Sequence, residues 1–200
     1  MRRSLGGSTL NPYPAEKGGE TLENQKEPLS QVKKLQDLIN RHAVDETVDM
    51  FADDAELELV GLNHLVGKEE IRNGFEYDEA VNSELEFFEC ISEGNIVNCR
   101  MKERNDRLMA LGLSEARYTP CVLEFKDGLI QKFSATIHPG ILRAMEDKWR
   151  AFLPWFSEHY PVEHSQMTTP EGLFIGNGEN GRKVVPILNE WRSSLEESDE

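Results

Sequence analysis

The stretch YTPCVLEFKDGLIQKFSATI, residues 118–137, decides the fold. Apolar and polar residues alternate on both sides of Lys126-Asp127-Gly128, and Asp-Gly between two alternating segments is a strong β-hairpin signal. Two further alternating segments, residues 84–94 and 95–104, come directly before it. Together these segments predict an antiparallel meander.

Helical periodicity dominates upstream of the meander. Residues 28–43 place Val32, Leu35, Leu38 and Ile39 on one helical face, and residues 66–81 predict a shorter helix. Between them, apolar helical spacing continues to Phe51 and then gives way to alternation at Leu57 and Leu59. Helices followed by an antiparallel meander predict an α+β fold, in which the helices cover one face of a curved sheet.

The remaining segments define the predicted domain organisation. Residues 1–27 are rich in polar residues, Gly and Pro and show no periodic spacing of apolar residues, which predicts disorder. The region after the meander carries Ile141, Met145, Trp149 and Phe152 at helical spacing, so it is expected to pack on the domain or on a partner subunit. The predicted units are a disordered leader (1–27), the α+β domain (28–140), a helical C-terminal extension (141–192) and an acidic tail (193–200).

A glycine pattern near the C-terminus, Gly176-x-Gly178-x-x-Gly181, has the spacing of a dinucleotide-binding loop. Pro186 follows too soon for a helix to open there, and too few residues remain for a βαβ unit. Asn177-Gly178 and Asn180-Gly181 are turn dipeptides. We therefore expect a hairpin or surface loop and no bound nucleotide.

Composition limits the partners. A formal net charge of −15 argues against binding nucleic acid or anionic membranes, and no apolar run has the length of a membrane span. Cys90, Cys99 and Cys121 are odd in number and lie in predicted strands, so we expect buried free thiols and a cytoplasmic location. Their spacing does not fit a zinc site, and we expect no metal or cofactor.

Three segments in this order carry a family resemblance: MFADDAELEL (50–59), GKEEIRNGF (67–75) and VLEFKDGLIQKF (122–133). They resemble the nuclear-transport-factor-2-like superfamily over about residues 30–140. The resemblance implies a cone-shaped fold with an apolar pocket. The superfamily includes SnoaL-type polyketide cyclases, ketosteroid isomerases, limonene epoxide hydrolases and binding modules without catalytic activity.

Only some of the catalytic residues of these enzymes have a matching residue in this sequence. The ketosteroid isomerase base, tyrosine and oxyanion acid fall on Leu59, Leu35 and Cys121, which argues against that chemistry. The epoxide hydrolase Arg-x-Asp pair matches Arg104-x-Asp106, but the second acid falls near Ala135.

Strand alternation gives Arg104 and Asp106 two interpretations. Val97, Cys99 and Met101 are alternate residues and should face the core. By the same alternation, Arg104 and Asp106 should lie on the solvent-exposed face as a surface ion pair. A β-bulge would instead turn them into the pocket as catalytic residues.

The expected pocket wall is almost entirely apolar, with Thr119 as its main polar member and Tyr118 near its mouth. Such a wall favours binding over acid–base chemistry. We therefore predict a protein that binds a small apolar molecule, with weak isomerase, cyclase or epoxide hydrolase activity at most. The alternative is a non-catalytic interaction module, and a homodimer through the outer sheet face is expected. The expected ligand-binding residues are Leu35, Leu57, Leu59, Tyr118, Thr119, Cys121, Leu123, Phe133, Ala135 and Ile137.

Overall fold

A computed structural model describes residues 22–198 of the chain. These residues form the predicted α+β fold, a curved and unclosed sheet with helices. The helices are α1 (Leu22–Asn40), α2 (Val44–Val48), α3 (Gly67–Ala80), α4 (Asp106–Ala110), α5 (Pro139–His159), α6 (Pro161–Met167) and α7 (Gly178–Ser198). The strands are β1 (Phe51–Val60), β2 (Asn63–Val66), β3 (Glu84–Glu93), β4 (Ile96–Arg104), β5 (Ala116–Lys126) and β6 (Leu129–Ile137).

The sheet has the order β2-β1-β6-β5-β4-β3. The meander β3 to β6 is antiparallel, as predicted, whereas β1 pairs in parallel with β6, so the sheet is mixed. The segment around His64 is the short strand β2, which pairs with β1. A strand of four residues is too short for its sequence pattern to predict the pairing with β1.

The main core lies between α1 and the inner face of the sheet. The apolar face of α1 is buried as predicted, with Leu35 fully enclosed. Opposite it, alternate residues of β5 and β6 are also buried, including Cys121, Leu123 and Phe133. Burial of side chains of this size stabilises each by about 1.5–3 kcal/mol relative to exposure.

Several element boundaries differ from the predictions. Helix α1 begins at Leu22, inside the predicted leader, while residues 1–21 lie outside the described residues. Strand β1 begins at Phe51, although helical spacing continued to that residue, because β6 supplies its hydrogen-bonding partner. At the other end α7 runs through the predicted acidic tail to Ser198.

The C-terminal extension folds on its own chain. Helix α7 contacts α3 and α4, and a second core forms from aromatic residues that include Trp149, Phe152 and Trp191. Trp149 and Trp191 are buried in this core, so little of either ring is exposed for contact with a second subunit. No helix in the part of the chain that the structure describes is long and apolar enough to cross a membrane.

The glycine segment is not the expected hairpin or loop. It opens α7, which begins at Gly178 and continues through Pro186. Asn177 caps the helix, since its Oδ1 accepts a hydrogen bond from the Asn180 backbone N–H at 2.9 Å. The missing side chain of Gly181 lets α7 approach α3, because a Cβ there would lie 2.9 Å from the Ala80 Cβ. Close helix packing therefore explains this glycine.

The cysteines also differ from the prediction. Cys90 on β3 and Cys99 on β4 form a disulfide across adjacent strands, so only Cys121 is a free buried thiol among the described residues. The register of the two strands shifts between Phe88 and Ile91, and this irregularity surrounds Cys90. Burial raises the pKa of the Cys121 thiol to about 12.

Candidate active site

A cavity of about 620 Å³ lies at one end of the sheet. Its floor is formed by β1, β4 and β5, and one wall is formed by the face of α3 that carries Asn73, Gly74, Tyr77 and Asp78. Residues four apart on a helix share a face, which explains this grouping. The roof comes from the C-terminal extension, namely α5 and residues 169–176. Its apolar lining includes Leu57, Leu59, Leu142, Met145, Trp149 and Phe174.

A hydrogen-bonded polar cluster centred on Glu103 opens into this cavity. The Tyr118 hydroxyl donates to Glu103 Oε2 at 2.7 Å, and the Asn105 side-chain amide donates to Oε1 at 2.6 Å. The Ser83 hydroxyl also donates to Oε1, at 3.3 Å. All four side chains are buried, and three donors on one carboxyl group suit its ionised form.

The local chain holds Asn105 in place for this role. Asn105 caps α4, since its Oδ1 accepts a hydrogen bond from the Leu108 backbone N–H at 2.7 Å. The same side chain donates to Glu103 through its other end. The cap thereby fixes the orientation of the carboxylate.

Asp78 is the second carboxyl group beside this cluster. Removal of its carboxyl group from water, and then the negative charge of Glu103, raise the pKa of Asp78 well above its usual range, against the Ser83 hydrogen bond. Burial and Glu103 also raise the pKa of Tyr118 well above its usual range. Two carboxyl groups in one cluster therefore differ in environment, the arrangement that separates an acid from a base.

Arg107 is the cation of the cavity. Its guanidinium lies over Phe174 at 4.7 Å and over Trp149 at 5.2 Å from the ring centroids. Nη1 donates to the Tyr77 hydroxyl at 3.3 Å. The buried Nε has no hydrogen-bond partner among the described residues. An unsatisfied buried donor costs about 1–3 kcal/mol.

The structure divides the residues expected to bind ligand. Leu57, Leu59 and Tyr118 line the cavity. Thr119 is exposed, with its hydroxyl on the Tyr118 carbonyl. The others are packed in the main core together with the apolar face of α1: Leu35, Cys121, Leu123, Phe133, Ala135 and Ile137.

Arg104 and Asp106, the expected catalytic pair, lie outside the cavity lining. Arg104 is exposed at the end of β4 and pairs with Glu115 at 3.4 Å. Asp106 is exposed in the first turn of α4. Strand β4 alternates without interruption, and the register irregularity beside it falls at the exposed Thr119 and Pro120 of β5. No bulge therefore turns Arg104 inward.

The sequence contained the signal for the residues that were missed. Extending the buried parity of Val97, Cys99 and Met101 by two steps gives Glu103 and Asn105, which are buried at 9% and 8% exposure. Polar residues at inward strand positions mark a site. Asp78 and Arg107 carried no comparable signal, because their approach to Glu103 depends on tertiary packing.

Among the described residues, no group of three His, Cys, Asp or Glu side chains is placed to hold a metal ion. No family model and no curated protein sequence matches the chain.

Solved structures do match it. The epoxide hydrolase/cyclase-like enzyme SalBIII of pyran ring formation in the polyether salinomycin gives a TM-score of 0.51 at 17% identity, over 57% of this chain and 93% of that one. An LEH-like epoxide hydrolase of M. tuberculosis gives 0.51 at 14% identity, over 65% and 97%. PrhC from Penicillium brasilianum gives 0.52 at 11% identity, over 64% and 91%. Identities this low establish the fold alone, and the chain therefore has the fold of the nuclear-transport-factor-2-like superfamily.

Proposed function

We propose that the protein binds a small, largely apolar molecule in the cavity and transfers protons on it, with Glu103 as the base and Asp78 as the acid. The observation that carries this proposal is the buried cluster of Glu103, Tyr118, Asn105 and Ser83 at the cavity wall. A purely structural interior gains little from burying a carboxyl group, because desolvation costs energy that hydrogen bonds only offset.

The cluster provides the two functions that proton transfer needs. The donors around Glu103 orient its carboxyl group, which is the proposed acceptor of a proton from a bound molecule. Asp78, whose pKa is raised by burial and by Glu103, holds its proton more strongly than a solvated carboxyl group and is the proposed donor. The apolar lining excludes water, which strengthens these interactions.

Several reactions use this pair of functions. Moving a proton from one carbon to another is an isomerisation, closing a ring transfers a proton to or from oxygen, and opening an epoxide requires an activated water and an acid. SalBIII is described as epoxide hydrolase/cyclase-like and the M. tuberculosis protein as an LEH-like epoxide hydrolase. These descriptions support acid–base chemistry on a small molecule as the class of reaction.

The test uses small neutral ketones and epoxides, for example 2-decalone and cyclohexene oxide. Deuterium exchange beside the carbonyl in D₂O and epoxide hydrolysis are followed by NMR. Glu103→Gln should lower the turnover of any accepted compound by about a hundredfold or more, and Asp78→Asn by about tenfold or more. The matched control Asp106→Asn changes an exposed carboxylate nearby and should change turnover less than about twofold.

The outcomes separate catalysis from binding. Turnover of Glu103→Gln equal to that of the unaltered protein, with an unchanged circular dichroism spectrum, would exclude the acid–base role. If a neutral apolar dye such as N-phenyl-1-naphthylamine binds but none of the compounds reacts, the protein is a binding module.

We also propose a homodimer that forms through the outer face of the sheet, whereas the cytoplasmic location expected from the sequence is not part of this proposal. The outer sheet face proposed for the dimer carries the ion pairs Arg100–Glu89 and Lys102–Glu86, which is a polar contact surface. The Cys90–Cys99 disulfide argues against the cytoplasm, because disulfides persist mainly in oxidising compartments.

A further inference from the structure

Arg107 has no part in the proposed proton transfer, yet it is the one Lys or Arg side chain among the described residues that line the cavity. It projects from α4, four residues beyond Glu103. The two aromatic rings beneath its guanidinium belong to α5 and to the segment before α7, so the roof holds the cation in position.

We propose that Arg107 binds a carboxylate group on the ligand, so that the cavity is specific for small apolar carboxylic acids. This inference rests on the proposed function, since it assumes that the cavity holds a ligand. It names the class of that ligand and the end of the molecule by which it is held.

The hydrogen bonding of Arg107 is incomplete without a ligand. The Tyr77 hydroxyl accepts from Nη1, while Nε is buried and has no partner among the described residues. A guanidinium presents adjacent N–H groups in a plane that matches the two oxygens of a carboxylate. Because Nε itself is buried, a carboxylate in the cavity would accept hydrogen bonds from the Nη groups of Arg107, and its charge would offset the cost of the unpaired donor.

The charge of Arg107 is also uncompensated. In the part of the chain that the structure describes, no ion pair joins Arg107 to a carboxylate. Glu103 is occupied by Tyr118, Asn105 and Ser83, and Asp78 resists ionisation. A ligand carboxylate would supply the missing counter-charge, whereas a neutral oxygen would not.

The acidic character of the protein opposes this binding only weakly. The formal charge of −15 comes mostly from exposed side chains. Charges separated from the cavity by solvent are screened beyond about 8 Å at physiological ionic strength. Glu146, exposed on α5, is the remaining acidic side chain of the cavity lining besides Glu103 and Asp78.

The same geometry sets the orientation of the ligand. With its carboxylate on Arg107, the apolar body of the ligand would extend toward Leu57 and Leu59 on β1 and Met145 on α5. Glu103 on β4 lines the same cavity, so the proposal places the reacting carbon on the apolar body of the ligand and not at its carboxylate.

The test compares a carboxylic acid with its neutral amide. Binding of 6-phenylhexanoate and of 6-phenylhexanamide to the full chain is measured by calorimetry at pH 7.5, with tryptophan fluorescence as a second readout. The acid should bind at least about tenfold more tightly than the amide, as expected for one charge-assisted bidentate contact.

Two variants and one control locate the preference. Arg107→Met keeps an unbranched apolar stem without the guanidinium and should abolish the preference for the acid, while the affinity for the amide changes less than about threefold. Arg107→Lys keeps the charge without the planar fork and should retain only part of the preference. Arg104→Gln, an exposed arginine outside the cavity lining, should leave both affinities unchanged.

Each result decides the proposal. Equal affinities of the unaltered protein for acid and amide would overturn the role of Arg107 while leaving the cavity as a binding site. A preference for the acid that survives in both Arg107 variants would place the carboxylate elsewhere and also overturn it. If neither compound binds and the neutral dye is also excluded, then the binding part of the proposed function fails with it.

Discussion

Two apolar regions lie against the same sheet, and they differ in packing and in polarity. The first lies between α1 and the middle of the sheet, where Leu35, Leu123 and Ala135 are fully buried. The second lies at the end of the sheet beneath α5 and residues 169–176, and it encloses about 620 Å³. In the first region apolar side chains meet directly, whereas in the second they surround carboxyl groups and an arginine.

The difference shows what creates the cavity. In the first region α1 lies directly on the strands, so side chains from both elements fill the space. In the second the roof comes from the C-terminal extension, which also forms a separate aromatic core around Trp149 and Phe152. Space at the end of the sheet therefore depends on the extension.

The largest expected effect comes from removing the same atoms in both regions. Leu123→Ala should reduce the free energy of unfolding by about 3 kcal/mol, because it opens a new cavity in a packed interior. Leu59→Ala should cost less than about 1.5 kcal/mol, since Leu59 already borders empty space. Urea unfolding monitored by circular dichroism measures both. Equal losses would mean that the cavity closes in solution.

An intermediate effect is expected at the contact that supports the roof. A Cβ at Gly181 would lie 2.9 Å from the Ala80 Cβ and 3.1 Å from the Tyr77 Cδ2. Gly181→Ala should therefore destabilise the protein by about 1–3 kcal/mol, despite the better helix propensity of alanine. Because Tyr77 lines the cavity, dye binding should weaken as well.

Gly176→Ala is the matched control. A Cβ at Gly176 meets nothing within 4 Å, so the free energy of unfolding should change by no more than about 0.5 kcal/mol. Stabilisation by Gly181→Ala would show that α7 lies farther from α3 than the structure places it.

The same contrast explains what the sequence could predict. Alternation in residues 118–137 and periodicity around Leu35 were sufficient for the meander, for α1 and for the packed region, because local pattern determines which face is buried. The cavity was placed in that packed region by mistake, since a row of inward apolar residues does not reveal whether a helix fills the space above it.

The candidate site was only partly accessible to such patterns. Glu103 on β4 and Asn105 just after it continue the series of inward-facing alternate positions. Extending the alternation along the sequence would therefore have identified both residues. Asp78 and Arg107 lie on α3 and α4 and reach the cluster only through the fold. The glycine segment was predicted to be a turn because Asn-Gly dipeptides are typical of turns. The same residues also suit the first turn of a helix that packs closely on its neighbour, and the sequence does not distinguish the two.

A change in the pH dependence of stability tests the polar side of the comparison. The pKa of Asp78 is raised in the folded protein, mainly by burial and then by Glu103, so the folded state keeps a proton that the unfolded state releases above about pH 3.8. Since the folded state then binds more protons than the unfolded state, stability must fall as pH rises from this value toward the raised pKa. Asp78→Asn removes the titrating group, so its stability relative to the unaltered protein should increase steadily with pH across that window. Asp127→Asn, in the exposed β5–β6 turn, is the control and should leave the slope unchanged. Urea unfolding at intervals from pH 4 to pH 8 gives the slopes. Parallel curves for Asp78→Asn and the unaltered protein would show that Asp78 ionises freely and lacks the proton required of the acid.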